Sequence, residues 1–338
     1  MNQIKAFFIL IRLKNLLIIA LTQYLIRYAI IEPMIGLSSF ELQLSHFNFL
    51  LMSLATVLIA AGGYIINDYF DTRIDRINRP DLVVIDRYIK RRVAMGAHIV
   101  SSFAGIIVGF YVAHQAGVYQ LGFIYAISSG MLWFYSTNFK RQLFIGNIVI
   151  SFLTALVPIM VPLFEIPLLN QKYGEILLEA NTNFLFLLRF VGAYSIFAFM
   201  SSLIREIVKD MEDVSGDLSF GRTTIPIAFG IEKSKAIIIA LSLILIIGLA
   251  YIQHLQLEAN DYIFFFYILL AIQLPMAYFI FKIIKAKEKV EFAFTSRIIK
   301  FLMLAGILSS ILVYLTIQKT KEIENISIPT DISIQVAP

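Results

Sequence analysis

The chain has 338 residues, of which 59% are hydrophobic and only 15% charged, and its mean hydropathy is +0.81. Soluble domains carry roughly a quarter charged residues, so a soluble globular protein is excluded and an integral membrane protein is expected. The net charge of +5 segregates by loop, as described below, which marks topology and gives no reason to expect a nucleic-acid partner. Cysteine is absent, which removes disulfides, thiolate metal sites and thiol nucleophiles.

A hydrocarbon core of roughly 30 Å needs about 20 apolar residues at helical rise. Nine charge-poor stretches meet that need, at residues 9–31, 48–66, 93–114, 118–136, 143–164, 183–204, 236–253, 262–281 and 298–317. The expected fold is all-α, a polytopic bundle of about nine transmembrane helices, occupying residues 1–318 and followed by a polar tail at 319–338. Arg12, Lys14 and Arg27 interrupt the first stretch, and an interfacial amphipathic helix is its alternative reading. The basic N-terminal flank has no small-residue cleavage site, so a retained helix is expected there. Cytoplasmic loops hold an excess of Lys and Arg. If the loop after the second stretch is inside, 23 of the 28 basic residues share its side. The N-terminus is then cytoplasmic and the C-terminal tail lies across the membrane, in a bacterial or archaeal cell membrane.

Two acidic clusters begin where apolar stretches end on that basic side. "NDYFDTRID" places Asn67, Asp71 and Asp75 at i, i+4 and i+8, and "KDMEDVSGD" places Asp210, Asp213 and Asp217 at i, i+3 and i+7. On helices each set lies along one face. The second and sixth stretches are separated by an even number of crossings, so both clusters face one compartment. Carboxylates at a helix end are commonly only a solvated boundary. Two matched ladders, with Arg73, Arg76, Arg79, Arg205 and Lys209 nearby, point instead to a bound cation and phosphate. Mg²⁺ takes hard oxygen ligands and is usually held by one or two carboxylates plus substrate phosphates. A diphosphate held at the mouth of an apolar bundle implies an amphiphilic substrate, and a prenyl diphosphate has that shape. Tyr135, at the basic end of the fourth stretch, is a further candidate substrate contact.

These residues resemble a known family. "NDYFDTRID" matches the N-x-x-x-D-x-x-x-D motif of the UbiA superfamily of membrane prenyltransferases, and "DVSGD" matches its second motif, D-x-x-x-D. Arg12 and Asn15, "YSTNFK" leading to Gly146 and Asn147, and "GRTTIP" at 221–226 extend the resemblance up to the ninth stretch. Within the family the two motifs look most like those of the archaeal-type digeranylgeranylglyceryl phosphate synthases, which join a geranylgeranyl group to geranylgeranylglyceryl phosphate. One departure is "DLVVIDRYIKRR" after Pro80, where such proteins commonly read something like "RPIPSGR".

The resemblance implies an all-helical bundle of nine spans around a central cavity, capped on the motif side by short loop helices, and a Mg²⁺-dependent transferase that moves a prenyl group from a polyprenyl diphosphate donor to a lipid acceptor, within lipid biosynthesis. It implies that Asn67, Asp71, Asp75, Asp210, Asp213 and Asp217 bind metal and diphosphate, with Asp71, Asp75, Asp213 and Asp217 central to catalysis. Asn15, Arg79, Lys140, Asn147, Arg205, Lys209 and Arg222 would contact substrate. Asp68 adjoins the first motif on another helix face and ranks below these. An aromatic quinone or haem precursor is the alternative acceptor. A secondary transporter would place its acids near the midplane on broken helices, whereas the acids here sit at the ends of the stretches. A CDP-alcohol phosphotransferase would need a "DGxxAR" signature, which is absent. The four histidines lack ligand spacing, and nothing in the sequence speaks to oligomeric state.

Overall fold

The structure, a computed structural model, describes residues 2–179 and 181–327. Among the described residues it is all-helical apart from loops and a single isolated bridge between Ile85 and Ile89. A short helix α1 (Gln3–Leu10) precedes nine longer ones: α2 (Leu13–Ser38), α3 (His46–Asn78), α4 (Arg91–Gln115), α5 (Gly122–Thr137), α6 (Ile145–Glu179), α7 (Leu185–Ser219), α8 (Ile231–Glu258), α9 (Tyr262–Lys285) and α10 (Lys289–Ser327). Eight of these are long and apolar enough to cross a membrane. The exception is α5, whose 16 residues span about 24 Å at 1.5 Å per residue. The 3₁₀ turn Tyr119–Leu121 runs directly into it, and three residues at about 2 Å each bring the whole to about 30 Å.

The termini of the helices follow from local chemistry. Asn2 caps α1 by accepting the Lys5 amide at 2.9 Å, and Ser45 caps α3 by accepting the Asn48 amide at 3.1 Å. At Arg12 the chain turns left-handed (φ 52°), a conformation that interrupts helix for a residue with a Cβ. The expected first span of 9–31 is therefore corrected: residues 9 and 10 close α1, and the crossing helix starts at Leu13. Two helices widen into π turns, Ile26–Ile31 in α2 and Ile268–Gln273 in α9. Each is followed two residues later by a proline, Pro33 and Pro275. A proline ring collides with the carbonyl four residues back, here inside the π turn, and the wider turn accommodates it.

Helix packing closes a ring in the order α2, α3, α5, α6, α7, α10, with α4 outside α3 and α5, and with α8 and α9 outside α7 and α10. Apolar side chains also cover the outside. Val100, Phe103 and Ile107 of α4 are 68, 61 and 66% exposed, a stripe at helical spacing suited to hydrocarbon, and with eight helices able to cross a bilayer the protein is an integral, multi-pass membrane protein. The largest buried cluster runs along the ring and includes Phe49, Phe164, Leu187, Ile204 and Phe279. A second one lies under one mouth, where Ala6, Leu10, Leu16, Val84, Ile85 and Ile89 fasten α1 and the 80–90 segment onto α3. That segment and the helical turn Ile225–Phe229 supply the short caps expected on the motif side. The expected polar tail begins within α10, and its residues 328–338 lie outside the described residues.

Candidate functional site

Both acidic motifs are helical throughout, because α3 and α7 continue about three and about four turns beyond the apolar stretches that open them. Two side-chain contacts lock the extensions together. Asn78, at the end of α3, accepts the Gly216 amide at 3.1 Å and donates to the Asp213 carbonyl at 3.3 Å. A Cβ on Gly216 would sit 2.6 Å from the Asn78 Cγ, so the glycine within "DVSGD" admits the asparagine that joins the two ladders. Gly146 acts similarly on α6. A Cβ there would stand only 3.0 Å from the Lys140 Cα and 3.1 Å from the Phe139 carbonyl oxygen, so the glycine admits the backbone that carries Lys140 into the cavity.

The ring encloses a cavity of about 370 Å³ that is charged at the motif end and apolar beyond it. Asn15, Asn67, Asp71, Asp75, Arg79, Tyr135, Lys140, Arg205, Lys209, Asp210, Asp213, Asp217 and Arg222 all line it. The apolar end is walled by Ile59, Tyr125, Leu153, Val157, Phe197 and Leu304, among others. Of the expected contacts Asn147 alone stands behind the wall, donating to Asp210 Oδ2 at 2.8 Å. Asp68 likewise leaves the cavity and pairs with Arg12 at 2.9 Å. Arg73 and Arg76 face solvent, so neither reaches a phosphate in the cavity.

The charged end is a network of shared carboxylates. Lys140 Nζ donates to Asp71 Oδ1 at 2.7 Å, and Arg222 donates to the same oxygen as well as to Asp217 Oδ1 at 3.0 Å. The turn at Gly221 (φ 66°) returns the chain so that the Arg222 amide reaches the Asp217 carbonyl, which aims the guanidinium inward. Burial pushes the Lys140 ammonium below its ordinary range, with Asp71 opposing that shift. For Arg222 burial acts in the same sense, but Asp71 and Asp217 overcome it and hold the guanidinium above its ordinary value. Arg79 pairs with Asp213 at 2.8 Å and Glu212 at 3.2 Å.

Two residues escaped the sequence analysis. Glu206 is buried and receives Arg205 at 3.1 Å and Lys209 at 3.1 Å. Its signal was present, since it lies one turn before Asp210 on the same ladder. Lys300 of α10 lines the cavity and donates to Asn15 Oδ1 at 2.7 Å. In sequence it reads only as one more basic residue at the end of a span.

The donor set suits a hard cation. Among the described residues no three His, Asp or Glu side chains form a ready-made cage, but Mg²⁺ needs only one or two carboxylates beside waters and phosphate. Asn67 Oδ1 and Asp213 Oδ1, one from each motif, are buried without a hydrogen-bond partner. Orphaned acceptors of this kind are rare unless something else satisfies them. Among the described residues Asp75 has no ion-pair partner, and Asp210 has only Asn147 as a side-chain partner. These four keep free oxygen acceptors, while Asp71 and Asp217 are held by Lys140 and Arg222.

Fold and site together define an intramembrane helical bundle whose amphiphilic cavity combines an oxygen-rich, phosphate-competent mouth with an apolar interior. The profile of the UbiA prenyltransferase family matches residues 36–306, and the chain belongs to that family. It is 36% identical over 205 residues to digeranylgeranylglyceryl phosphate synthase of Methanothermobacter thermautotrophicus, a match covering 60% of this chain and 63% of that one. The chain thus spans somewhat under two thirds of that relative's length. The enzyme of the same name from Thermococcus sibiricus is 30% identical over 223 residues, covering 65% of this chain and 71% of that one. A solved structure described as digeranylgeranylglyceryl phosphate synthase superposes with a TM-score of 0.61 at 24% identity, over 94% of this chain and all of that one. A UbiA homologue from Archaeoglobus fulgidus bound to DMAPP and Mg²⁺ superposes at 0.51 and 16% identity, over 91% of this chain and 99% of that one. Both share the fold.

Proposed function

We propose that the protein transfers a prenyl group from a prenyl diphosphate to the hydroxyl of a glyceryl phosphate lipid, a reading supported by its relatives named digeranylgeranylglyceryl phosphate synthase. The observation that carries this reading is the amphiphilic cavity, in which both acidic ladders and the cations Lys140 and Arg222 meet at the head of an apolar chamber. The chain's own residues would act in three ways. Lys140, Arg222 and Arg79 would turn from their carboxylates to the leaving diphosphate as it fills the mouth. The apolar wall would hold the prenyl tail and keep water from the allylic carbon as its C–O bond breaks. The acceptor oxygen would then bond to that carbon, giving an ether, inorganic diphosphate and one proton. Asn67, Asp75, Asp210 and Asp213 are the residues that would hold Mg²⁺, which supplies charge stabilisation for the leaving group when bound.

The sidedness belongs to the same proposal. With 23 of 28 basic residues on the motif side, that mouth and the N-terminus face the cytoplasm and the end of α10 faces away. Single cysteines at Ser219 and Thr320 test it without removal of any native thiol. Labelling of both from one side would refute it. For the activity, purified protein with Mg²⁺, a series of prenyl diphosphates and a panel of acceptors is analysed by mass spectrometry. Prenylation of the glyceryl phosphate ether is expected, and prenylation of an aromatic precursor alone would overturn the acceptor.

A further inference from the structure

The charged end of the cavity is two sites by its own ion pairing. One set comprises Arg79, Lys140 and Arg222 paired with Asp71, Glu212, Asp213 and Asp217, three cations to four carboxylates, with Asp75 and Asp210 lining the same cavity outside any ion pair among the described residues. The other comprises Arg12, Arg205, Lys209 and Lys300, whose ion-pair partners among the described residues are Asp68 and Glu206. Among the described residues no ion pair joins the two sets. The first lacks positive charge, as a site awaiting metal should. In the second, Arg205 and Lys209 share the single carboxylate of Glu206 and Lys300 pairs with no carboxylate among the described residues, an arrangement that can receive a phosphomonoester.

Lys300 is the clearest member of the second set. Its hydrogen-bond partner is the neutral Asn15 carbonyl oxygen at 2.7 Å, and the charges acting on it are the cations Arg205, Lys14 and Arg12. Nearby, the Arg205 Nε is buried with no hydrogen-bond partner. Cations gathered this way repel one another unless an anion enters between them, and an ammonium and a guanidinium are the usual donors to phosphate oxygens. The arrangement draws on four elements: Arg12 at the break before α2, Asn15 on α2, Arg205 and Lys209 on α7, and Lys300 on α10.

We propose that this basic half, formed by Lys300 with Asn15, Arg12 and Arg205, is a second anion site that holds the phosphate of the acceptor lipid, apart from the donor diphosphate at the acidic half. The inference rests on the prenyl-transfer reading and deepens it. Selection for a phosphorylated acceptor then resides in α10 and the start of α2. It explains why a cavity already equipped for one diphosphate holds four further cations.

The test uses the full chain, geranylgeranyl diphosphate as donor, and two acceptors, geranylgeranylglyceryl phosphate and the same lipid without its phosphate. Lys300→Met should raise KM for the phosphorylated acceptor about tenfold or more, the scale of one charge-assisted hydrogen bond, with the donor KM unchanged. Lys300→Arg should restore most of the loss. Asn15→Asp, which neutralises Lys300 in place, should reproduce it and carries the test should Lys300→Met not fold. Binding is read separately, as thermal stabilisation by the phosphorylated acceptor alone, without donor or Mg²⁺. The parent should be stabilised by it and not by the dephosphorylated lipid or by inorganic phosphate, and Lys300→Met should lose the effect. Stabilisation that depends on Lys300 without any turnover would sustain this site and sink the prenyl-transfer reading. Turnover with acceptor KM and stabilisation unchanged in Lys300→Met would overturn the site and leave that reading standing. A rise in donor KM alone, or equal stabilisation by inorganic phosphate, would also overturn it.

Discussion

Asp210→Asn and Asp71→Asn look alike in sequence but should fail differently. Asp210 has one protein partner, the Asn147 amide at 2.8 Å. A carboxamide oxygen at position 210 can still accept that bond, so the protein contacts survive and only a charge is lost from the free carboxylates. Asp71 instead holds Lys140 and Arg222, and the side chains of Lys140 and Asp71 are only 5 and 10% exposed. Its neutralisation leaves Lys140 without an anion, whereas Arg222 keeps Asp217 at 3.0 Å. Stranding one partner of a buried ion pair costs about 3–5 kcal/mol, enough to lower the melting temperature by several degrees. Loss of one strong electrostatic contact to a transition state costs about 2.7–4 kcal/mol, or roughly a hundred- to a thousandfold in rate. Asp210→Asn should therefore lose at least about a hundredfold in prenyl transfer at saturating Mg²⁺ while melting near the parent. Asp71→Asn should lose both rate and stability. Turnover and detergent-phase melting curves measure the two quantities. Exposed Asp81→Asn is the control, because Asp86 in the same segment is paired with Arg76 at 3.7 Å and Arg91 at 3.5 Å. Asp210→Asn with more than a tenth of parent turnover, or Asp71→Asn melting with the parent, would refute this accounting.

Three further outcomes are expected. Transfer should stop in excess chelator and return with Mg²⁺ or Mn²⁺ but poorly with Zn²⁺, because the site offers oxygen ligands only; full turnover in chelator would exclude the metal. Gly216→Val should displace Asn78 and part the two ladders, cutting turnover at least about tenfold with a lower melting temperature; parent-like kinetics would show that the Asn78 junction is dispensable. Arg27→Met should destabilise the chain by roughly 3 kcal/mol through the stranded Glu165, with KM of the folded fraction unchanged; a parent-like melting temperature would mean that the Glu165 charge is compensated by its backbone donors alone.

Much of the fold was legible because the membrane imposes a simple rule. Every backbone polar group must be satisfied within its own segment, so an apolar run of the right length is a helix, and all nine expected runs correspond to one. Their ends were less legible. The expected spans 48–66 and 183–204 stop where polar residues begin, yet α3 and α7 run on to Asn78 and Ser219. Hydropathy reports the hydrocarbon boundary and not the end of helix. The motif ladders survived that error because their face-matched spacing already required helix. Asn147 read as a substrate contact, but only the packing of α6 against α7 reveals that it holds Asp210 from behind.

What stayed hidden is pairing between distant segments. Arg27 counted as a stray basic residue on the sparse side, and Glu165 lay one residue past an expected span. The structure buries both and brings them to 3.5 Å. Glu165 accepts the amides of Gln43 and Leu44, Arg27 donates to the Leu44 carbonyl, and the guanidinium lies 4.4 Å over the Phe49 ring. This knot fastens the 39–45 loop between α2, α3 and α6, at the end of the bundle away from the motifs. It shares its logic with Lys300, whose role depends on Asn15, 285 residues earlier in the chain. A lone charge in a membrane sequence shows that something must compensate it, but its spacing cannot identify the partner, because the partner lies on another helix. Ladders on one helix can be read from sequence; a charge balance assembled from four elements requires the fold.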